Sequence, residues 1–116
     1  MADRSRQAAG AAGERRAALE YRRAGFEVLD RNWRVPGAEI DLIVACDDLV
    51  VIVEVKLRRG GGFGGPLAAV GPAKQRRLRD AAAVWLAAHP EYAGDRIRFD
   101  VVAIEGSRVE IVAGAF

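Results

Sequence analysis

Cysteine and histidine each occur once in these 116 residues, as Cys46 and His89. One cysteine excludes an internal disulfide and any cysteine-based zinc site. Cys46 sits beside a candidate hairpin turn and reads as an incidental small apolar side chain. His89 falls at the expected end of a helix, where a cation is favourable, and no chemistry is assigned to it. No apolar run reaches membrane-spanning length, so no membrane partner is expected. The opening Met1-Ala2-Asp3-Arg4-Ser5-Arg6 lacks the apolar core of a signal peptide, and Asp3 and Glu14 argue against an organellar transit peptide. A cytoplasmic protein is expected. Internal repeats are absent, as is any linker long enough to separate two domains.

What is present reads as soluble and globular: 51% of residues are hydrophobic and 29% charged. The length suits one domain with a modest core. Residues 1–12, rich in Ala, Gly and Arg without periodicity, are expected to form a mobile tail ahead of a domain over 13–116. Net charge is only +2, but it is unevenly placed. Residues 1–34 carry eight Arg and five acids, residues 35–52 four acids and no base, and residues 53–80 seven Lys/Arg and two acids. An acidic hairpin between two basic segments fits a metal centre within a phosphate-binding surface. A run of charge is also what any solvated face shows.

The acidic hairpin carries most of the information. Two apolar runs, Glu39–Ala45 and Leu49–Leu57, flank the turn signal Asp47-Asp48. A two-residue turn pairs Cys46 with Leu49, and a four-residue loop pairs Ala45 with Val50; both give the same ladder. Val44 then meets Val51, Leu42 meets Val53 and Ile40 meets Val55 on a wholly apolar face. On the other face Ile43 meets Ile52, Asp41 meets Glu54 and Glu39 meets Lys56. Opposed carboxylates on a pleated sheet repel by roughly 0.2–1 kcal/mol when exposed, and burial raises that figure or forces protonation. A divalent cation reverses the sign, and magnesium takes one or two carboxylates with several waters. Lys56, two residues past Glu54, shares that side and could orient a water nucleophile or neutralise a phosphate. The plainer alternative is a surface face with a Glu39–Lys56 ion pair.

A helix is expected over Gly13–Ala24, with inner stripe Glu14, Ala17, Ala18, Tyr21 and Ala24 and Gly25 as C-cap. Glu14 either complements the helix dipole or aims a third acid at the sheet. Phe26–Trp33 reads as the first strand. Residues 60–65 form a glycine-rich loop that could close over a substrate or merely link strand to helix. A long helix runs from Pro72 to Ala88 or His89, where Pro90 ends it. Gln75, Leu78, Ala82, Trp85, Leu86 and His89 form its inner stripe, flanked by Lys74, Arg76, Arg77 and Arg79. Strands Arg96–Ile104 and Arg108–Val112 complete the order αβββαββ, a mixed sheet flanked by helices.

Asp41, the Glu54-Val55-Lys56 run and this element order together resemble the restriction-endonuclease-like, PD-(D/E)XK nuclease superfamily. The fuller string is similar to its YraN-like branch of small bacterial proteins. It comprises Gly13-Glu14, Tyr21, Gly25-Phe26, Arg31-Asn32-Trp33-Arg34, Glu39-Ile40-Asp41-Leu42-Ile43, Val53-Glu54-Val55-Lys56, Lys74-Gln75-Arg76-Arg77, Arg98-Phe99-Asp100-Val101-Val102 and Ala115-Phe116. The resemblance covers nearly the whole chain from Gly13. It departs at Ile40, where the superfamily motif has proline, at Ala38, where the branch usually has Gly, and at Arg22, where it usually has Leu.

The resemblance implies an α/β restriction-endonuclease-like αβββαβ core and metal-dependent hydrolysis of phosphodiester bonds with Mg2+ or Mn2+. Asp41 and Glu54 would hold the metal, joined by the Val55 carbonyl. Lys56 would position the attacking water. Glu14 matches the helical acid of Holliday-junction resolvases of this fold, and Gln75 the helical glutamine of some exonuclease branches. Arg34, Arg58, Lys74, Arg76 and Arg77 are the candidates for phosphate contact. The expected partner is nucleic acid, with DNA favoured over RNA, in branched or single-stranded form, and a homodimer is one option for handling it. The alternative is a non-catalytic nucleic-acid- or protein-binding module that keeps the nuclease fold. No motif for reading bases is present.

Overall fold

A computed structural model describes residues 2–58 and 70–116, with side chains described from Gly10 onward. The glycine loop over residues 60–65 lies outside the described residues. The elements are α1 (Ala2–Arg23), β1 (Glu27–Val35), β2 (Ala38–Cys46), β3 (Leu49–Leu57), α2 (Pro72–Ala88), β4 (Arg96–Glu105) and β5 (Arg108–Val112), with a 3-10 turn at Pro90–Tyr92. The first helix begins at Ala2 rather than Gly13. Residues 1–12 were expected to be a tail for want of amphipathic periodicity, but alanine and arginine carry high intrinsic helix propensity. Gly25, at φ +96°, closes α1. Phe26 N donates to Tyr21 O and Gly25 N to Arg22 O, the paired bonds of a Schellman end.

The strands form one sheet in the order β1-β2-β3-β4-β5. All neighbours are antiparallel except β3 and β4, which run parallel across the connection that contains α2. The hairpin register is as expected from Cys46–Leu49 to Leu42–Val53. Asp47 takes φ +54° in the turn, a left-handed conformation that Asp tolerates better than most residues. Helix α1 covers one face through Ala17, Ala18 and Tyr21 against Leu42, Val44, Val51, Val53, Val102 and Ile104. Helix α2 covers the other through Leu78, Ala81, Ala82 and Trp85 against Ile40, Ile43, Val50, Ile52 and Val101. The central strand β3 is therefore buried on both sides, which explains its unbroken Val/Ile run. A carboxylate in that run has no route to bulk water by turning over.

Three details fix the helices on the sheet. Gly13 is buried, and a Cβ there would lie 2.9 Å from Leu57 Cδ2 and 3.7 Å from Ile104 Cδ1, so a side chain at this position must displace those side-chain ends. Asp100, fully buried, accepts from Tyr21 OH at 2.7 Å, from Arg98 Nε at 2.8 Å and from Gly114 N at 3.0 Å. It thereby ties α1, β4 and the C-terminal segment together. On the other side, Trp85 Nε1 donates to Asp30 Oδ2 at 3.2 Å, joining α2 to β1.

Candidate metal centre

The hairpin ladder stops at Leu42–Val53, one residue short of the two acids. Beyond it the strands part. Asp41 Oδ2 accepts the Val55 N–H at 2.7 Å, so a side chain takes the place of the next ladder bond. On the other flank of β2, pairing passes from Arg31–Leu42 to Trp33–Ile40, and Asn32 between them adopts φ +50°. Asp41 thus stands at a fork, accessible from both helix-covered faces. The splay also overturns two expected pairs. Ile40 packs into the α2 cluster instead of meeting Val55, and Glu39 pairs with Arg34 Nε at 3.2 Å instead of Lys56. Both expectations extended a straight ladder past the point where it opens.

Two adjoining cavities meet at Asp41 and Glu54. One, of about 340 Å³, is lined by Gly10, Glu14, Asp41, Glu54, Val55, Lys56 and Leu57. The second, of about 370 Å³, is lined by Gly37, Ala38, Glu39, Asp41, Glu54, Lys74, Arg77 and Leu78. The structure therefore brings Glu14, Asp41, Glu54, Val55 and Lys56 to one cavity wall. Carboxylate oxygens of Glu14, Glu39 and Asp41 lie within 4.8 Å of one another. Glu54 is 7% exposed, and its Oε2 lies 2.9 Å from Lys74 Nζ. That oxygen has no hydrogen bond, so the ammonium is close but out of line with it. Lys56 is half-buried and forms no ion pair among the described residues.

The acids perturb one another. Burial, then the hydrogen bond to Glu54 and the charge of Glu54, push the Asp41 carboxyl up to about 8, against the opposing pull of the Val55 N–H. Burial also raises Glu14; a hydrogen bond from Asn32 opposes this, and the charge of Glu39 reinforces it. In the metal-free protein, protonation relieves the crowding. An all-oxygen set of crowded carboxylates suits a hard divalent cation such as Mg2+ or Mn2+, which would relieve it by charge instead.

The remaining expected residues divide. Gln75 lines neither cavity: its Nε2 donates to Val70 O at 3.1 Å at the start of α2. Lys74 lies inside the centre rather than on its periphery. Arg77 lines the second cavity, Arg34 lies beside Glu14, Asn32 and Glu39, and Arg76 is exposed on α2. Arg58 is half-buried, and its backbone N donates to Ile104 O at 2.8 Å. Sequence reasoning missed Glu39 as a member of the acidic cluster and Lys74 as the partner of Glu54. The second was findable: Lys74, Leu78, Ala81, Ala82 and Trp85 keep the i, i+4, i+7 spacing of the inner stripe better than Gln75 does.

A mixed sheet between two helices, with acids gathered where its central strands fork, is an α/β protein with a restriction-endonuclease-like αβββαβ core. Residues 13–104 match the model of the uncharacterised protein family UPF0102. The chain belongs to that family, the YraN-like group of the sequence resemblance. It is 52% identical over 97 residues to a UPF0102 protein of Rhodococcus opacus (strain B4), covering 84% of this chain and 81% of that protein. It is 45% identical over 111 residues to one of Bordetella avium (strain 197N), covering 96% and 76%. A third, from Acidothermus cellulolyticus (strain ATCC 43068 / DSM 8971 / 11B), is 40% identical over 126 residues, covering 97% and 96%. None of the described helices is long and apolar enough to cross a membrane.

Proposed function

We propose that this chain is a Mg2+- or Mn2+-dependent nuclease that hydrolyses phosphodiester bonds in DNA, branched and single-stranded forms being the substrates of choice. The observation that carries the reading is the convergence of Glu14, Asp41, Glu54 and Lys56 on one cavity at the fork of β2 and β3. Asp41 and Glu54 would hold the metal, with Glu14, Glu39 and the Val55 carbonyl as further oxygen donors near it. A bound divalent metal supplies an acidified water and charge to offset the phosphorane-like transition state.

The chain's own groups do the rest. Lys56, without an ion-pair partner among the described residues, is placed to hold or deprotonate the water that attacks phosphorus. The Val55 N–H fixes the Asp41 carboxylate, so its orientation is set before substrate arrives. Glu14, from α1, closes the cavity on the side away from α2. Arg77, on the rim, and Arg34, Arg58 and Arg76 beyond it would contact backbone phosphates and make binding fall with salt.

The test is a cleavage panel of branched, duplex and single-stranded DNA with Mg2+, Mn2+ or chelator. Metal-dependent nicking is expected, with Asp41→Ala and Glu54→Ala each reducing it by about 10²-fold or more. Salt-dependent binding without cleavage, or cleavage unchanged in both variants, would replace this reading with that of a non-catalytic binding module.

A further inference from the structure

One contact in the acidic centre is incomplete as a structural ion pair. Lys74 Nζ stands 2.9 Å from Glu54 Oε2, yet that buried oxygen receives no aligned hydrogen bond. Buried charge pairs that only hold a fold together are normally hydrogen-bonded as well as close. Lys74 also reaches solvent: its side chain is 31% exposed, against 8% for Glu54. It comes from the first turns of α2, beside Arg77, which lines the same cavity. An ammonium on a four-carbon stem can swing where a guanidinium fork cannot.

Resting on the nuclease reading, we propose that Lys74 is a built-in counter-cation of the centre. It occupies the divalent metal's place against Glu54 in the metal-free protein. A divalent metal displaces it, and the released ammonium joins Arg77 as a contact for a phosphate of the nucleic acid. Lys74 is thus a positioning residue that couples the two ligands. Metal frees the cation that holds phosphate, and phosphate draws away the cation that competes with metal. Linkage makes this reciprocal: DNA tightens metal binding by the same factor as metal tightens DNA binding.

The experiment measures Mn2+ affinity calorimetrically and DNA affinity by anisotropy, on one branched oligonucleotide, with and without Ca2+ in place of the catalytic metal. The proteins are wild type, Lys74→Met and Arg77→Met, with Lys74→Gln as a second variant that keeps a polar end if Met disturbs packing. Removing Lys74 is expected to tighten Mn2+ binding by about tenfold. It should also cut the Ca2+-induced gain in DNA affinity. Arg77→Met, which removes the same charge without a Glu54 contact, should change Mn2+ affinity by about threefold or less. Equal effects from Lys74→Met and Arg77→Met would reduce Lys74 to a general field effect and overturn the inference. Weaker Mn2+ binding in both Lys74 variants would make it a supporting residue and overturn it as well. Absence of Mn2+ binding by the wild type would sink both this inference and the nuclease reading. A wild type that binds Mn2+ with Lys74 variants that bind it identically would sink only the former.

Discussion

Replacing Asp41 by Asn should make the metal-free protein more stable at alkaline pH, although it removes a residue central to the site. In the folded, metal-free chain the Asp41 carboxyl titrates near 8, against an ordinary value of 3.8. Its folded-state pKa is raised, so the native state holds a proton that the unfolded state releases. The contribution of this group to stability is then fully present below about pH 4 and is lost as pH climbs towards 8, by at most about 1.4 kcal/mol per pH unit. From pH 5 to 8 the ceiling is about 4 kcal/mol. Solvent access to the half-buried side chain and local relaxation bring that down to about 2 kcal/mol. An amide at this position still accepts the Val55 N–H and can donate to Glu54, but carries no charge. Urea unfolding of both proteins in chelator, from pH 5 to 8.5 at fixed ionic strength, measures the difference. Glu14 contributes a slope of the same sign to both, so the gap between the curves isolates position 41. The expected gap opens with pH, with Asn the more stable by about 2 kcal/mol at pH 8. Parallel curves, or a less stable Asn variant at pH 8, would refute the crowded-carboxylate argument.

Three further outcomes follow from the packing. Asp100→Ala strands the Tyr21 hydroxyl, the Arg98 guanidinium and the Gly114 N–H, and should lower unfolding stability by about 3–5 kcal/mol in a urea titration. Gly13→Leu should push α1 away from Leu57 and carry Glu14 with it. Mn2+ affinity should therefore fall while far-UV circular dichroism still reports a folded chain; unchanged affinity would show that Glu14 does not help to hold the ion. Gln75→Ala should keep metal-dependent cleavage within about twofold, because its amide serves the Val70 carbonyl. It should lower stability by about 0.5–1.5 kcal/mol.

The fold was legible because its signals are local. The turn at Asp47-Asp48 sets the hairpin register, Pro72 and Pro90 bracket α2, and Gly25 ends α1. Each acts through backbone chemistry within a few residues. What was not legible depended on distant packing. Nothing within β2 announces that the ladder opens after Leu42. The opening is visible only in the Asp41 bond to the Val55 amide and in Ile40 packing beneath α2. Beyond the opening Glu39 stays opposite Arg34 in the β1–β2 ladder and beside the acidic cluster instead of facing Lys56. The extra turns of α1 before Gly13 escaped a reading that weighed periodicity above propensity. Lys74 reads from the sequence as a flanking phosphate contact because Gln75, not Lys74, takes the inner stripe. An error of one residue on a helix is a rotation of about 100°, enough to move a charge from solvent into the site.

The most direct test is a Mn2+ titration followed by electron paramagnetic resonance, in which the free hydrated ion gives the signal. Wild-type protein should remove about one equivalent of the signal at submillimolar to millimolar metal, and Asp41→Asn and Glu54→Gln should remove little. Undiminished signal with the wild type, or equal loss with both variants, would mean that these acids do not gather around a divalent ion.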